Sequence, residues 1–317
     1  MGFFVGFCTS YLICFFLTPP IKNFSFYKKI FDNPNFRSQH YKPIVRTGGI
    51  AIFISFIFTF ILCQYFGVIN LSESNQLNFI LPIVICSSLF FLIGLIDDLV
   101  RLSPFLRLVI QFSSASLLWV LNIKISVINL LWFNNIELPN LLSYLITIFW
   151  VVGITNAINW LDGLDGLIAG IIFIYIIGLT SISGITEQSN ITVISAIIGG
   201  GCLAFLKYNS YPAEIIMGDG GSNFLGFMIS ILTLYSSESS SFNGTINANF
   251  TLGILALPLL DMIFVILKRI SKNRSPFYPD RNHFHHRLLN AGFSQPKTVF
   301  FIYLLVIINT FAVRIFL

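Results

Sequence analysis

Ten long apolar stretches recur along this 317-residue chain, and they constrain its fold more than any other feature. A helix needs about 20 residues to cross the hydrocarbon core of a membrane. The stretches that meet or approach that length are residues 2–21, 48–69, 78–96, 104–122, 141–159, 164–182, 191–207, 222–236, 248–267 and 297–316. Only 10 % of the residues are charged, against about 25 % in soluble domains. We therefore predict one membrane-embedded domain, 1–317, which is all-α and polytopic with about ten transmembrane helices, and no nucleic-acid partner.

The distribution of basic residues predicts the orientation of these helices. Sixteen of the 18 Lys and Arg residues fall in loops that an even–odd count puts on one side, which leaves Lys124 and Arg314 for the other. Because cytoplasmic loops are enriched in Lys and Arg, we predict that these loops are cytoplasmic and that both termini lie outside. The first stretch has no basic leader and no small-residue cleavage site, so we expect it to remain as a helix.

Acidic residues and histidines show a second asymmetry. All eight Asp and all four His residues lie in or beside the loops predicted to be cytoplasmic, whereas four of the five Glu residues lie on the other side. Carboxylates at the end of a membrane helix are costly unless they are paired or bind a cation. We therefore expect catalytic loops at the cytoplasmic face. The five cysteines lie in apolar stretches without metal-binding spacing and indicate no redox or zinc site.

Residues 155–170 form the most informative segment. If the segment is helical throughout, one face carries a stripe of small and amide side chains: Asn156, Asn159, Gly163, Gly166 and Gly170. Such a stripe permits close helix approach. Close packing alone would leave Asp162 and Asp165 unexplained, whereas amide and carboxylate oxygens are the ligands that Mg²⁺ prefers.

Two neighbouring carboxylates, Asp97 and Asp98, close the third apolar stretch. Consecutive side chains on a helix diverge by about 100°, so we expect the two to face different points unless the helix has ended. A supporting role for one of them, or simple capping of the helix in water, is the alternative. Arg101 and Arg107 follow and would complement either carboxylates or phosphates.

A glycine-rich turn, Met217–Asn223, leads into the eighth stretch. Its backbone N–H groups and the following helix N-terminus would bind an anion, and Asp219 could hold a cation beside it. An N-capped turn would explain the same residues. The turn is not a Walker loop, because no Gly-Lys-Ser/Thr follows.

Three histidines and an arginine cluster before the last stretch, at His283, His285, His286 and Arg287. On a helix, His283, His286 and Arg287 would share one face and His285 would point elsewhere. Flanking arginines would repel zinc, so an anion such as a nucleotide phosphate fits the cluster better. A loop that only satisfies topology and touches anionic lipid is the alternative, but it leaves the histidines unexplained.

The first predicted cytoplasmic loop contains His40 and ends with Arg46 just before Gly48 and Gly49. Basic residues at a helix entrance, beside glycines that permit close approach, could hold a lipid phosphate. They could equally anchor the helix.

In this order, the segments resemble the polyprenyl-phosphate N-acetylhexosamine-1-phosphate transferases, a family of integral membrane enzymes. The resemblance covers about residues 17–293 and rests on these motifs: Asp32-x-Pro-x-x-Arg37-x-x-His40, Asp97-Asp98, Asn156-x-x-Asn159-x-x-Asp162-Gly-x-Asp165-Gly, Gly218-Asp219-x-Gly-Ser222, Asp261 and His283-x-His285-His286-Arg287. The histidine pattern is similar to that of bacterial undecaprenyl-phosphate N-acetylglucosamine-1-phosphate transferases of glycosyltransferase family 4. Phe284 interrupts the run of three histidines typical of the muramoyl-pentapeptide branch, and Ser38 stands where the family usually has Lys.

The resemblance implies an enzyme of the inner (plasma) membrane. It would transfer a sugar 1-phosphate, GlcNAc-1-phosphate by this resemblance, from a UDP-N-acetylhexosamine to undecaprenyl phosphate and release UMP. This is the first membrane step of cell-envelope polysaccharide synthesis, such as lipopolysaccharide. The implied cofactor is Mg²⁺, with Mn²⁺ as a substitute.

The resemblance also implies a role for each site residue. Asp219 and Asn159 would hold the metal, and Asp97, Asp98, Asp162 and Asp165 would be catalytic, with Asp97 or Asp98 as the general base. The remaining residues would bind substrate: Asn156, Arg101, Arg107, His40, Arg46, His283, His285, His286 and Arg287. A phosphate monoester is already mostly ionised at pH 7, so the base contributes little, and a covalent aspartyl-phosphate route stays open.

Two alternatives use the same residues differently. A muramoyl-pentapeptide donor would keep the chemistry and change the sugar. An ion-coupled transporter would place acids near mid-span and show an internal repeat, and the sequence has neither feature. The donor sugar, the downstream polymer and the oligomeric state, a homodimer among the options, are left open.

Overall fold

The computed structural model describes residues 1–32, 43–69, 74–130, 133–182, 190–235, 245–278 and 280–316. Within these ranges the chain forms twelve helices: α1 Gly2–Tyr27, α2 Gly48–Tyr65, α3 Ser74–Val100, α4 Pro104–Val120, α5 Asn140–Leu161, α6 Leu167–Ile182, α7 Asn190–Asn209, α8 Gly218–Tyr235, α9 Ala248–Ile254, α10 Ala256–Ile270, α11 Phe284–Asn290 and α12 Gln295–Phe316. Each of the ten apolar stretches contains one of these helices, except the ninth, which contains two.

Six helices in the described part of the chain are long and apolar enough to cross a membrane: Gly2–Tyr27, Gly48–Tyr65, Phe79–Val100, Asn140–Leu161, Asn190–Asn209 and Gln295–Val313. Helices α4 and α6 are apolar but shorter. The large side chains on the periphery are exposed and apolar, for example Phe16, Leu141 and Phe300. A surface of this kind is stable against lipid tails and not against water. The chain is therefore a mostly helical, multi-pass membrane protein.

The core of the bundle is built around α7 and α8, which pack against α1, α2, α3 and α5. Small residues allow these contacts. A methyl group added to Gly200 of α7 would overlap the carbonyl of Phe7 in α1, and one added to Gly226 of α8 would approach the backbone of Thr155 in α5. Close approach of this kind replaces the hydrophobic driving force that lipid does not supply.

The ninth stretch differs from the prediction, because it forms two helices that are separated at Leu255 instead of one. Pro258 in α10 has no N–H, so the carbonyl of Ile254 loses the partner that an unbroken helix would provide. Asn309 of α12 donates its side-chain amide to the carbonyls of Gly253 and Ile254 instead. The break is therefore satisfied by a neighbouring helix.

Five short strands complete the described structure: β1 Phe31–Asp32, β2 Ile44–Val45, β3 Val127–Leu130, β4 Phe133–Glu137 and β5 Thr245–Asn247. Strands β3 and β4 pair antiparallel as a hairpin. Strand β5 pairs with β3 in parallel on its other side. Strands β1 and β2 pair antiparallel, and Val45 also forms a parallel bridge with Ile215 before α8.

Candidate active site

The end of α3 and the start of α8 meet through the two neighbouring carboxylates. Asp98 accepts hydrogen bonds from the backbone N–H groups of Asp219 (2.9 Å) and Gly220 (3.0 Å), the first turn of α8. Asp97 accepts instead from the N–H of Leu102 (2.6 Å) and from the guanidinium of Arg107 (2.5 Å). Because α3 continues to Val100, the two side chains diverge, as the helical geometry predicted.

Arg46 lies at the entrance to α2 and forms ion pairs with three carboxylates. Its nitrogens lie 2.6 Å from Asp98, 2.9 Å from Asp219 and 3.7 Å from Asp32. Burial alone would lower the pKa of Arg46, but the charges of Asp219 and Asp98 raise it above its usual range. The guanidinium is therefore a fixed positive charge at the centre of the site.

The prediction that Asp219 and Asn159 lie together is confirmed. The amide of Asn159, near the end of α5, donates to Asp219 at 3.0 Å and to the hydroxyl of Ser222 at 2.8 Å. Arg107 also approaches the Asp219 carboxylate at 3.6 Å. Side chains of α4 and α5, together with Arg46 before α2, thus converge on one carboxylate of α8.

The stripe of small residues is not continuous, because α5 ends at Leu161 and α6 begins at Leu167. The residues between form a turn with Gly166 at φ +76°. In this turn, burial and the charge of Asp219 raise the pKa of Asp162 to about 7. Asp165 accepts a hydrogen bond from the N–H of Ala213 at 3.0 Å and so connects the turn to the segment before α8. The condition of one continuous helix over 155–170 is therefore not met, because Asp-Gly pairs favour a turn.

Asn156 belongs to a group of three hydrogen-bonded amides, and it is not among the described residues that line the cleft. Its side chain donates to Gln111 at 2.7 Å, and Gln111 donates to Asn223 at 3.3 Å. The three amides connect α5, α4 and α8. Sequence reasoning missed Gln111, although an isolated amide in an apolar helix signals a helix–helix hydrogen bond.

A second wall comes from α10 and the loop after it. Buried Arg269 contacts both carboxylate oxygens of Asp280, at 2.9 and 3.2 Å, and its guanidinium lies 5.2 Å from the centre of the Trp160 ring. Burial opposes the charge of Asp280, but hydrogen bonds from Arg269 and Asn282 lower its pKa to about 2. The sequence did not reveal this pair, because Arg269 is one of many basic residues before the last apolar stretch.

All three histidines of the cluster line the cleft. Asp261 on α10 accepts from the ring of His283 (Nδ1, 2.8 Å) and from the N–H of Phe284 (2.7 Å). The ring centres of His285 and His286 lie 4.2 Å apart, and neither nitrogen of His285 has a hydrogen-bond partner among the described residues. Burial lowers the pKa of His285 well below the usual value, and burial with the nearby charge of Arg281 lowers that of His286 to about 4.

His283, His286 and Arg287 therefore do not share one helix face, as they would on a single helix that contained all three. Helix α11 begins only at Phe284 and is seven residues long, so His283 precedes it and turns with the other two histidines into the cleft. Arg287 is exposed, and its guanidinium lies 4.6 Å from the centre of the Phe264 ring, outside the cleft.

Two other predicted substrate-binding residues lie apart from these. Arg101 is exposed at the turn between α3 and α4, with φ +54°, and it is not among the described residues that line the cleft. His40 lies outside the described residues.

These walls enclose an open cleft of about 420 Å³. Acidic, basic and aromatic side chains line it: Asp32, Arg46, Arg107, Asn159, Trp160, Asp162, Asp165, Asp219, Arg269, Phe277, Tyr278, Asp280, His283, His285 and His286. No group of three His, Cys, Asp or Glu side chains within the described ranges is arranged to hold a metal. Mg²⁺, however, is typically held by one or two carboxylates together with substrate phosphates. Asp219 and Asp162, two carboxylates whose charges disfavour each other, fit that kind of site.

Fold and cleft together define a membrane-embedded enzyme with a polar site at the ends of its helices. Comparison with known proteins identifies its family. Residues 80–237 match the model for glycosyl transferase family 4. The chain is 32 % identical to a probable undecaprenyl-phosphate N-acetylglucosaminyl 1-phosphate transferase of Bacillus subtilis (strain 168), over 95 % of this chain and 81 % of that protein.

Two further relatives agree. The chain is 31 % identical to a decaprenyl-phosphate N-acetylglucosaminephosphotransferase of Mycobacterium tuberculosis (strain CDC 1551 / Oshkosh), over 96 % of this chain and 80 % of that protein. It is 27 % identical to an undecaprenyl-phosphate alpha-N-acetylglucosaminyl 1-phosphate transferase of Escherichia coli (strain K12), over 83 % of this chain and 70 % of that protein. The chain belongs to glycosyl transferase family 4.

Proposed function

We propose that this protein transfers N-acetylglucosamine 1-phosphate from UDP-N-acetylglucosamine to undecaprenyl phosphate and releases UMP. This would be the first membrane step in making a cell-envelope polysaccharide. The names of the three relatives support the sugar phosphate and the polyprenyl acceptor. The observation that carries the proposal is the position of Asp219 in the cleft, held by Asn159 and flanked by Arg46 and Arg107.

In the reaction, an oxygen of the acceptor phosphate forms a bond to the β-phosphorus of the donor. The bond from that phosphorus to the bridging oxygen breaks, and UMP leaves with the electron pair. Such a transfer needs mainly positioning and charge neutralisation. Mg²⁺ when bound would neutralise the donor diphosphate, and Asp219, with Asn159 or Asp162, would hold it.

The two arginines supply the permanent positive charge. Arg46 and Arg107 present planar guanidinium groups, which bind phosphate oxygens in pairs. Asp98 and Asp97 each hold one of them. An acceptor with a second pKa near 6 is already mostly ionised at pH 7, so neither carboxylate needs to remove a proton.

The wall of the cleft that carries Arg269 and the three histidines would bind the nucleotide. The low pKa values of His285 and His286 keep both rings neutral at pH 7, so they act as hydrogen-bonding groups and not as cations. Asp165 would keep the turn in place from below. Exposed Phe105 and Leu106, beside Pro104 at the cleft, would contact the polyprenyl chain.

Strand pairing supports ten crossings. Strands β3 and β5 lie side by side, so the helices between them, α5 to α8, cross the membrane an even number of times. Val45 bridges Ile215, so these two residues lie on the same side of the membrane. The six helices between them, α2 to α7, are therefore also an even number of crossings. Both counts fit ten spans. The excess of Lys and Arg in the loops on the side of the cleft supports a cytoplasmic cleft and termini on the other side.

The test is transfer in membranes that contain the protein, supplied with labelled UDP-N-acetylglucosamine, Mg²⁺ and undecaprenyl phosphate. We expect a lipid-linked sugar that added UMP converts back to UDP-sugar, because one phosphoanhydride is exchanged for another. Asp219→Asn should abolish the product, and Glu137→Gln, an exposed carboxylate of β4, should not. The absence of lipid-linked product from UDP-N-acetylglucosamine would reject the proposal, and product from a muramoyl-pentapeptide donor alone would favour that alternative.

A further inference from the structure

Asp98 is the most enclosed carboxylate at the junction of α3 and α8. Its side chain is 1 % exposed, against 21 % for Asp219. Its oxygens accept from the backbone N–H groups of Asp219 and Gly220 and from the side chain of Arg46. Three of about four acceptor positions of a carboxylate are thus occupied by the protein itself.

The same face of α3 is shaped around the start of α8. Gly94 lies one turn before Asp98, and a methyl group at Gly94 would overlap the carbonyl of Asp219. Gly218, just before Asp219, has φ +77° and would approach both the Asp98 carboxylate and the Arg46 carbonyl if it carried a side chain. Close packing at Gly94 and at Gly218 therefore fixes the first turn of α8 against α3.

This turn determines where the Asp219 carboxylate points. The backbone N–H of Asp219 is bonded to Asp98 on one side, and its carboxylate faces Asn159 and Arg46 on the other. Asp219 lines the cleft, whereas Asp98 is not among the described residues that do. A shift of α8 would move Asp219 without changing any group in the cleft chemically.

We infer that Asp98 is a positioning residue and not a catalytic one. It holds the first turn of α8 and the Arg46 guanidinium, and it acts on the reaction only through Asp219 and Arg46. The inference rests on the proposed function. It assigns different roles to the two neighbouring carboxylates, because Asp97 contacts Arg107 and Asp98 supports α8.

Substitutions at Asp98 separate this role from general-base or metal-ligand chemistry. Asn keeps an oxygen in place for one backbone N–H and for Arg46, whereas Glu keeps the charge but adds a methylene to a fully buried position. We expect transferase activity to fall about tenfold in Asp98→Asn, and much further in Asp98→Ala and Asp98→Glu. A base or a metal ligand would give the opposite order, with Glu the best substitute and Asn as inactive as Ala.

A second pair of variants leaves every carboxylate in place. Gly94→Ala should displace the start of α8 and raise the Mn²⁺ concentration needed for half-saturation at least tenfold, measured by electron paramagnetic resonance without substrate. Gly153→Ala is the matched control, because no atom of the described residues, apart from the adjacent backbone of α5, lies within 4 Å of the added methyl group. Hydrogen exchange of the peptide 217–224 should speed up in Gly94→Ala and Asp98→Ala, and not in Gly153→Ala.

The outcomes are distinct. Wild-type protein without transferase activity would reject the proposed function, while exchange and Mn²⁺ binding would still test Asp98. Retained activity in Asp98→Glu beside an inactive Asp98→Asn would overturn the inference. Unchanged exchange and Mn²⁺ binding in Gly94→Ala would overturn it as well, and this variant covers the case in which the Asp98 variants do not fold.

Discussion

Divalent cation binding should depend on pH through Asp162. Burial and the charge of Asp219 raise the pKa of Asp162 to about 7 in the metal-free protein. A metal ligand must be ionised, so cation binding at this site releases a proton. With a pKa of about 7, about a tenth of Asp162 is ionised at pH 6 and about nine-tenths at pH 8. The Mn²⁺ dissociation constant should therefore be about tenfold higher at pH 6 than at pH 8.

The assay is titration of the detergent-solubilised protein with Mn²⁺, followed by the electron paramagnetic resonance of the free ion and without substrates. Asp162→Asn should bind weakly at both pH values and lose the tenfold difference. Asp280→Asn is a control, because the pKa of Asp280 is held near 2 and that carboxylate stays ionised throughout. Equal wild-type affinity at pH 6 and pH 8, or an Asp162→Asn variant that keeps the difference, would refute the reasoning.

Three other predictions concern the walls of the cleft. Gly163→Ala should lower transfer at least tenfold because its methyl group would overlap the His285 ring, whereas Gly153→Ala should not. Arg46→Lys keeps the charge but cannot contact two carboxylates in a fork, so activity should fall about tenfold or more in the transfer assay. Since burial lowers the pKa of His286 to about 4, the unfolded chain binds more protons between pH 4 and pH 6.5. Thermal stability should therefore fall from pH 7 to pH 5, and less in His286→Gln.

Much of the helical structure and the central contact of the site could be predicted from the sequence. Apolar length alone placed the helices, because the membrane sets that length. The proximity of Asn159 and Asp219 followed from the family resemblance, which implies that the two residues hold one metal ion. The helices depend on residue type along a single stretch, whereas this contact joins two helices.

Features that depend on where helices end, or on which loops meet, could not be predicted. The end of α5 at Leu161 interrupts a stripe whose spacing was helical. His283 precedes α11 and is fixed by Asp261, a residue 22 positions earlier on another helix. Arg46 contacts carboxylates from α3 and α8, so its role as an internal ion pair, beyond phosphate binding, needed three-dimensional information.

The parallel pairing of β3 with β5 imposes an order on biosynthesis. Val127 pairs with Thr245, so the third strand of this sheet emerges only after α5, α6, α7 and α8 have been made. Until then β3 and β4 form an isolated hairpin, which is marginally stable at best in water. We expect the third strand to pair late, after the preceding helices have been inserted, and to hold those helices in place. Truncation before residue 245 should leave the hairpin susceptible to proteolysis.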